Sequence, residues 1–157
     1  MRVLLKESAF DPYAELRQFE AAAFPQPGAF GATASFVGTM RDLNEGDAVS
    51  GMFLEHYPGM TERHLEAIGA AAAERWTLLE SLVIHRVGDI APGDPIVLVA
   101  VWSSHRAEAF EACRFIMEDL KSKAPFWKKE TLPTGTRWVA RNRDGTAPAR
   151  VTAPKEF

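Results

Sequence analysis

The amino-acid sequence predicts an α+β fold with two long helices among about six strands. Two observations carry this prediction. Apolar residues recur at helical spacing in two long segments, whereas shorter apolar or alternating segments between them are typical of strands. Several of these strands are joined by short turns, which indicates hairpins and mixed or antiparallel pairing, while a doubly wound fold would place a helix between successive strands.

In the first half of the chain, prolines and apolar periodicity define the predicted elements. Pro25 and Pro27 end the first helix, because proline cannot continue a helical hydrogen-bond ladder. Leu65, Ile68 and Ala72 form one stripe of the second helix. The predicted elements are a strand at 1–6, a helix at 13–23, a strand at 31–40, a polar and mobile loop at 41–47, a strand at 49–57 and a helix at 60–76.

In the second half, two strands flank a turn at 91–94 and form a predicted hairpin. The second of them is almost entirely apolar, so we expect it to be buried on both faces. Ser104 is the expected cap of the next helix, which Pro125 ends. The predicted elements are strands at 79–87 and 95–103, a helix at 105–121, and short strands at 126–131 and 136–140. We expect one domain over 1–143 and a frayed tail over 144–157.

Composition excludes several classes of protein. The chain has 157 residues, of which 46% are hydrophobic and 25% charged, as in an ordinary globular protein. Its longest apolar run, at 96–102, is far shorter than the ~20 residues that span a bilayer. The N-terminus lacks a signal-peptide pattern, and the single cysteine, Cys113, rules out an internal disulfide. These features predict a cytoplasmic protein, and the four histidines lack the spacing of a metal site.

Charge is distributed unevenly along the chain. The segment 121–143 carries seven basic residues and one acidic residue, whereas the whole chain has a net charge of −3. A basic segment on an acidic body favours a local anion site, because a binder of duplex nucleic acid needs many phosphate contacts and is basic overall. A solvated basic face explains the charge equally well at this point.

The helix predicted at 105–121 is the most informative element. Lys121 lies at the margin of its apolar arc and in its last turn, where a cation is favoured by the helix dipole. If nearby lysines crowd against apolar rings, one amine becomes easier to deprotonate and can act as a base or nucleophile. The alternative is a lysine whose stem covers the edge of the core. The arc comprises Ala109, Phe110, Cys113, Ile116, Met117 and Leu120, and the crowding would involve Lys123, Lys128 and Lys129.

Three further residues are candidates for binding an anion. His105 and Arg106 open the same helix, where free backbone N–H groups also attract negative charge. Arg41, in the polar loop, can close over an anion. Each also fits a plain role as an exposed polar residue. His85 and Arg86 are assigned to packing and cross-strand pairing, and Cys113 to the core.

Taken together and in order, several short motifs resemble the large, catalytic subunit of molybdopterin synthase over roughly 31–139. The motifs are Phe36-Val-Gly-Thr-Met-Arg41 with Asn44 and Gly46, Leu54-Glu-His-Tyr-Pro-Gly-Met60, His85-Arg-Val-Gly88, Pro92-Gly-Asp94, Ser104-His-Arg106 with Ala109-Phe110, Asp119-Leu-Lys121, and Ala124-Pro-Phe-Trp-Lys-Lys-Glu130. Each motif is weak alone, but the set is specific.

The resemblance implies an α/β hammerhead-type fold and a central homodimer within a heterotetramer. Each end of that dimer binds a small ubiquitin-like sulfur-carrier subunit, whose C-terminal Gly-Gly thiocarboxylate enters a pocket on the large subunit. Sulfur then passes to cyclic pyranopterin monophosphate to form the dithiolene of molybdopterin. The resemblance implies no metal and no further cofactor, and it implies neither a nucleic-acid nor a membrane partner.

The resemblance also implies roles for individual residues. It assigns Lys121 and Lys128 to catalysis, Arg41, His105 and Arg106 to the anionic parts of the substrate, and Phe36 and Met117 to the pocket for the carrier tail. His105 and Arg106 are expected to serve the lysine of a neighbouring subunit. Either Arg141 or Arg143 is a further candidate. Two alternatives remain open: a docking module for a ubiquitin-like tail without catalysis, and a phosphate-ester hydrolase that uses His105 and the lysines.

Overall fold

Three helices and ten strands form the part of the protein that the computed structural model describes, residues 1–44 and 46–139. The helices are α1 (Pro12–Ala23), α2 (Met60–Arg75) and α3 (Arg106–Lys123). The strands are β1 (Arg2–Lys6), β2 (Ala32–Thr39), β3 (Leu43–Asn44), β4 (Asp47–Ala48), β5 (Gly51–His56), β6 (Leu78–Arg86), β7 (Gly88–Ile90), β8 (Pro95–Ser103), β9 (Phe126–Leu132) and β10 (Gly135–Val139). The α+β prediction is confirmed.

The central sheet has the strand order β1-β6-β8-β2. β1 runs parallel to β6, and the other pairs are antiparallel, so the sheet is mixed. Helices α2 and α3 cover one face with residues such as Leu65 and Ile116. On the other face, α1 and the segments beside it cover Leu98 and Trp102. The prediction that β8 is buried on both faces is therefore confirmed.

A second sheet has the strand order β10-β9-β5-β7 and packs around its own small core. β6 and β8 form the predicted antiparallel pair, but their connection contains β7, which pairs with β5 of the second sheet. Gly88 starts β7 with φ of 75°, a left-handed conformation that glycine adopts without a steric penalty. The sequence did not predict β7, because three residues are too few to show a strand period.

The polar segment 41–47, expected to be a mobile loop, contributes to a two-stranded antiparallel ribbon of β3 and β4. The ribbon is tied to the second sheet by two side-chain contacts. Asn44 donates to Glu130 at 2.7 Å, and Arg137 donates to Asp47 at 2.9 Å. The loop prediction is corrected here, because contacts with β9 and β10, distant in sequence, give the segment its structure.

Two local predictions for α3 are also corrected. Ser104 does not cap the helix: His105 occupies the N-cap position, and its backbone N–H donates to the Ser103 hydroxyl at 3.4 Å. Phe110, placed on the apolar arc, is 67% exposed, whereas Ala112 is fully buried. The core therefore meets α3 on a face rotated from the predicted one, since neighbouring elements decide which side of a helix is covered.

The C-terminal predictions fall outside the described residues. These are the last residue of the strand predicted at 136–140, the domain boundary at 143 and the tail at 144–157. Within residues 1–44 and 46–139, no helix is long and apolar enough to cross a membrane.

Candidate active site

A cavity of about 540 Å³ lies where the C-terminal end of α3 meets β2 and the second sheet. Four of the seven predicted site residues line it: Phe36, Met117, Lys121 and Lys128. Phe36 projects from β2 and is 43% exposed, and Met117 and Lys121 lie one turn apart on α3. The chain thus brings two amines and two large apolar side chains to one cavity from three separate elements.

Helix α3 positions Lys121 at the edge of this cavity. The preceding residues Ile116 and Leu120 are 1% and 3% exposed and pack in the core beneath the central sheet. Their burial holds the helix in place, so the exposed residue that follows, Lys121, is carried to the cavity rim. Within the described part of the chain, Lys121 forms no salt bridge, which leaves its amine available to a ligand.

Strand β9 brings Lys128 to the cavity by simple alternation. Successive side chains of a strand point to opposite faces, so Phe126, Lys128 and Glu130 share one face of β9. Phe126 and Lys128 both line the cavity. Lys128 Nζ lies 3.1 Å from Glu130 Oε1, and this ion pair orients the Lys128 side chain.

Glu130 is a buried carboxylate at the centre of a polar cluster. It is 2% exposed and also accepts hydrogen bonds from Asn44 at 2.7 Å and from Arg137 at 3.0 Å. Burial by itself would raise the pKa of Glu130, but the bonds from Arg137, Lys128 and Asn44 outweigh it and lower that pKa. Glu130 therefore stays ionised and joins β9, β10 and the ribbon.

The four lysines considered in the sequence do not crowd together in the structure. Lys123 pairs with Asp119 at 2.7 Å on the exposed side of α3. Lys129 points away from Lys128, and its ammonium lies 5.6 Å and 5.4 Å from the ring centres of Phe53 and Trp138. Since strand alternation and helix geometry separate these amines, only Lys121 and Lys128 share the cavity.

His85, predicted from its strand position to serve packing and cross-strand pairing, also lines the cavity. It is 5% exposed and stacks on Phe126 with the ring centres 4.1 Å apart and the planes 13° from parallel. Its Nδ1 lies 2.7 Å from the backbone oxygen of Arg86. Burial lowers the pKa of His85 to about 4, so its imidazole is neutral near pH 7.

The three predicted anion-binding residues do not line the cavity of the same chain. Arg41 lies in a neighbouring shallow depression beside Pro92 and Gly93. His105 and Arg106 are exposed at the opposite end of α3 from Lys121. Lys121 follows His105 by sixteen positions, which corresponds to roughly 24 Å along the helix axis. One copy of the chain therefore leaves this part of the predicted site incomplete.

Two hydrogen bonds nevertheless fix the backbone beside Arg41. The N–H of Met40 donates to the oxygen of Asp94 at 2.9 Å, and the N–H of Gly93 donates to the oxygen of Met40 at the same distance. Since β2 supplies Phe36 to the cavity and continues to Thr39, Arg41 lies two residues beyond the cavity wall. The other candidates, Arg141 and Arg143, lie outside the described residues.

The part of the chain that the structure describes contains neither a cluster of metal ligands nor a reactive thiol. No group of three or more His, Cys, Asp or Glu side chains there could hold a metal ion. Burial raises the pKa of the Cys113 thiol to about 11, which keeps it protonated. The assignment of Cys113 to the core is confirmed, because it is 6% exposed and belongs to the cluster beneath the central sheet.

Two residues of the site were missed by sequence reasoning, His85 and Glu130. Glu130 is the single acid in the basic segment 121–143, and its spacing of two from Lys128 on a strand was a usable signal. His85 gave no comparable signal, because its neighbour Phe126 is 41 residues away in sequence and meets it only in the fold.

The fold and the cavity define a class: an α+β protein with paired amines at an apolar cavity between two sheets. Comparison with known proteins shows which family within this class the chain belongs to. The family model described as MoaE protein matches residues 6–123. The molybdopterin synthase catalytic subunit of Ralstonia nicotianae is 56% identical over 149 residues, which cover 94% of this chain and 82% of that protein.

Similarity to solved structures supports the same family. A MoaE protein of molybdopterin biosynthesis from Burkholderia ambifaria is 46% identical, with a TM-score of 0.75 over 90% of each chain. A molybdopterin synthase from Staphylococcus aureus is 27% identical, with a TM-score of 0.76 over 89% of this chain and 96% of that one. The chain belongs to the MoaE family, and the expectation of a molybdopterin synthase catalytic subunit is confirmed.

Proposed function

We propose that this chain transfers sulfur from the C-terminal thiocarboxylate of a small ubiquitin-like carrier subunit to cyclic pyranopterin monophosphate. The observation that carries the proposal is the cavity shared by Lys121 and Lys128 in a member of the MoaE family. Both the thiocarboxylate and the cyclic phosphate are anions, and the two ammonium groups at the cavity attract them electrostatically. The sulfur arrives already activated, so the residues of this chain supply position and charge.

The two lysines have different surroundings, which suggests different roles. Lys121 forms no salt bridge among the described residues, so in our proposal its amine holds the thiocarboxylate and moves protons during sulfur transfer. Lys128 is anchored by Glu130 and stabilises the negative charge that develops on the substrate. Phe36 and Met117 line the path of the carrier tail. The cavity, at about 540 Å³, is within the usual range for ligand pockets.

A homodimer completes the site in this proposal. His105 and Arg106 are exposed at the far end of α3, so a second copy of the chain is needed to bring these two residues to the cavity. Arg41, just beyond the cavity wall, then binds the phosphate together with them. With one carrier at each end, the assembly is a heterotetramer. We place the activity in the cytoplasm, as the single cysteine and the chemistry of a soluble substrate favour.

Substitution of Lys121 tests the proposal. Lys121→Ala should abolish product formation from thiocarboxylated carrier and cyclic pyranopterin monophosphate, while dimerisation and carrier binding persist. The matched control is Lys123→Ala on the same helix, because Lys123 is 58% exposed and paired with Asp119 away from the cavity. That variant should keep nearly full turnover. The measurement is product formed per enzyme in single-turnover reactions.

Three other outcomes of these assays would contradict the proposed function. Full turnover by Lys121→Ala would remove the lysine from the mechanism. Tight carrier binding by the unaltered protein without any product would favour a docking module. Turnover of the pterin phosphate in the absence of carrier would favour a hydrolase.

A further inference from the structure

His85 is the buried titratable group of the cavity for which the proposed function has no use. It comes from the penultimate position of β6, opposite Val97 of β8, and faces the space between the two sheets. Its ring is held on two sides, by the stack on Phe126 and by the short contact from Nδ1 to the Arg86 oxygen. A side chain fixed in this way presents its remaining ring nitrogen in a defined direction.

The hydrogen-bond geometry determines which nitrogen carries the proton. A backbone carbonyl oxygen can only accept, so at 2.7 Å the His85 Nδ1 must be the donor. The ring is neutral, because burial lowers its pKa to about 4. Nε2 therefore carries a lone pair and no hydrogen, and no described residue donates to it. His85 offers the cavity a neutral acceptor.

An extended peptide that enters this cavity benefits from such an acceptor. Its backbone N–H groups lose hydrogen bonds to water on entry, and an amide N–H left without a partner in apolar surroundings costs free energy. Much of the wall is apolar, with Leu54, Ile96 and Phe126 among its residues. Glu118 also lines the cavity, but its negative charge repels a tail that ends in a negative charge.

We propose that Nε2 of His85 accepts a hydrogen bond from a backbone N–H of the carrier's C-terminal peptide and so fixes the depth to which the tail enters the cavity. This inference rests on the proposed function, since it takes the carrier tail as the occupant. It adds a tail-binding residue that acts through neutral hydrogen bonding, whereas the lysines act through charge. The cavity would therefore prefer a peptide that has a free backbone N–H near its C-terminal end.

Two substitutions at one position separate this role from simple packing. In His85→Asn the side-chain amide can replace the Nδ1 donor to the Arg86 oxygen but cannot reach the position of Nε2. In His85→Gln the longer side chain places an oxygen acceptor near that position. We expect His85→Asn to raise KM for thiocarboxylated carrier roughly tenfold with kcat little changed, and His85→Gln to restore KM to within about threefold.

A direct reading comes from the nitrogen NMR signals of the His85 ring in the unaltered protein. Carrier that ends in its ordinary Gly-Gly carboxylate should shift the Nε2 signal toward that of a hydrogen-bonded nitrogen, whereas carrier lacking both glycines should leave it unchanged. An unmoved Nε2 signal with full-length carrier, or equal KM values for the two variants, would overturn the inference. Failure of the unaltered protein to form product would instead overturn the proposed function, because the NMR measurement needs only tail binding.

Discussion

At the scale of single residues, the same side-chain type acquires different properties from its surroundings. The lysines of the basic segment share a chemistry, yet Lys123 pairs with Asp119, Lys129 lies over aromatic rings, and Lys128 is held by Glu130. His85 is the clearest case, because an imidazole that normally titrates near pH 6.5 is buried against Phe126. We expect its burial to make the stability of the fold depend on pH.

We expect the free energy of unfolding to depend on His85 between pH 4 and 6.5. In this range the unfolded chain binds a proton that the folded chain excludes, because the pKa is about 4 in the folded state and 6.5 without burial. Stability from this residue is therefore fully present above pH 6.5 and is lost as the pH falls toward 4. The loss is on the order of 3 kcal/mol.

Urea unfolding of the protein and of His85→Gln across this pH range measures the effect. The variant should lose less stability on acidification, since it has no imidazole to protonate. Glu118, Lys121 and Lys128, the charged residues that line the same cavity, are present in both proteins and so do not contribute to the difference. Equal pH dependence in the two proteins would show that His85 is not excluded from solvent as described.

At the scale of elements, β9 sorts its residues between a cavity and an outer face. The alternation puts Lys128 and Glu130 on one side and Lys129 on the other. Glu130 then joins three elements, since Asn44 of the ribbon and Arg137 of β10 also bind its carboxylate. The segment 41–47 was expected to be mobile because this partner, 86 residues away, is not visible locally.

Removal of the Glu130 charge should weaken its contacts with Asn44, Lys128 and Arg137 at the same time. Glu130→Gln keeps the shape of the side chain but leaves Lys128 and Arg137 without their buried counterion, so we expect a loss of about 2 kcal/mol in stability. This is below the usual cost of breaking a fully buried pair, since Lys128 and Arg137 are 28% and 33% exposed. Glu55→Gln, on an exposed position of β5, is the control and should change stability by less than about 0.5 kcal/mol. Urea unfolding compares the two, and equal stability of both variants would contradict the role of Glu130.

At the scale of the whole molecule, one chain supplies only part of the predicted site. Lys121 and the pair His105–Arg106 lie at opposite ends of α3, roughly 24 Å apart along the helix axis. A straight helix cannot bring its own two ends together. The proposed site therefore requires residues from a second copy of the chain. This requirement can be tested with dimers that contain two different variants.

We expect Lys121→Ala and Arg106→Ala to be inactive separately and to recover activity when their subunits are exchanged. Random mixing makes half of the dimers mixed, and each mixed dimer has one intact site, so activity should reach roughly a quarter of the unaltered level. The measurement is product formation after subunit exchange by mild denaturation and refolding. Lys121→Ala mixed with Lys121→Ala, treated identically, is the control and should stay inactive. No recovery in the mixed sample would contradict a site that is shared between two copies of the chain.

Local patterns in the sequence determined much of this protein: both long helices, the buried strand β8, the position of Lys121 at the margin of α3, and the motifs that indicated the family. These features depend on interactions between residues close in sequence, where periodicity and chain stiffness act directly. Only the tertiary structure decided that Phe110 is exposed, that the ribbon is tied to Glu130, and that His85 meets Phe126 beside two amines. Those outcomes depend on which distant segments pack together and exclude water, and no local pattern encodes that choice.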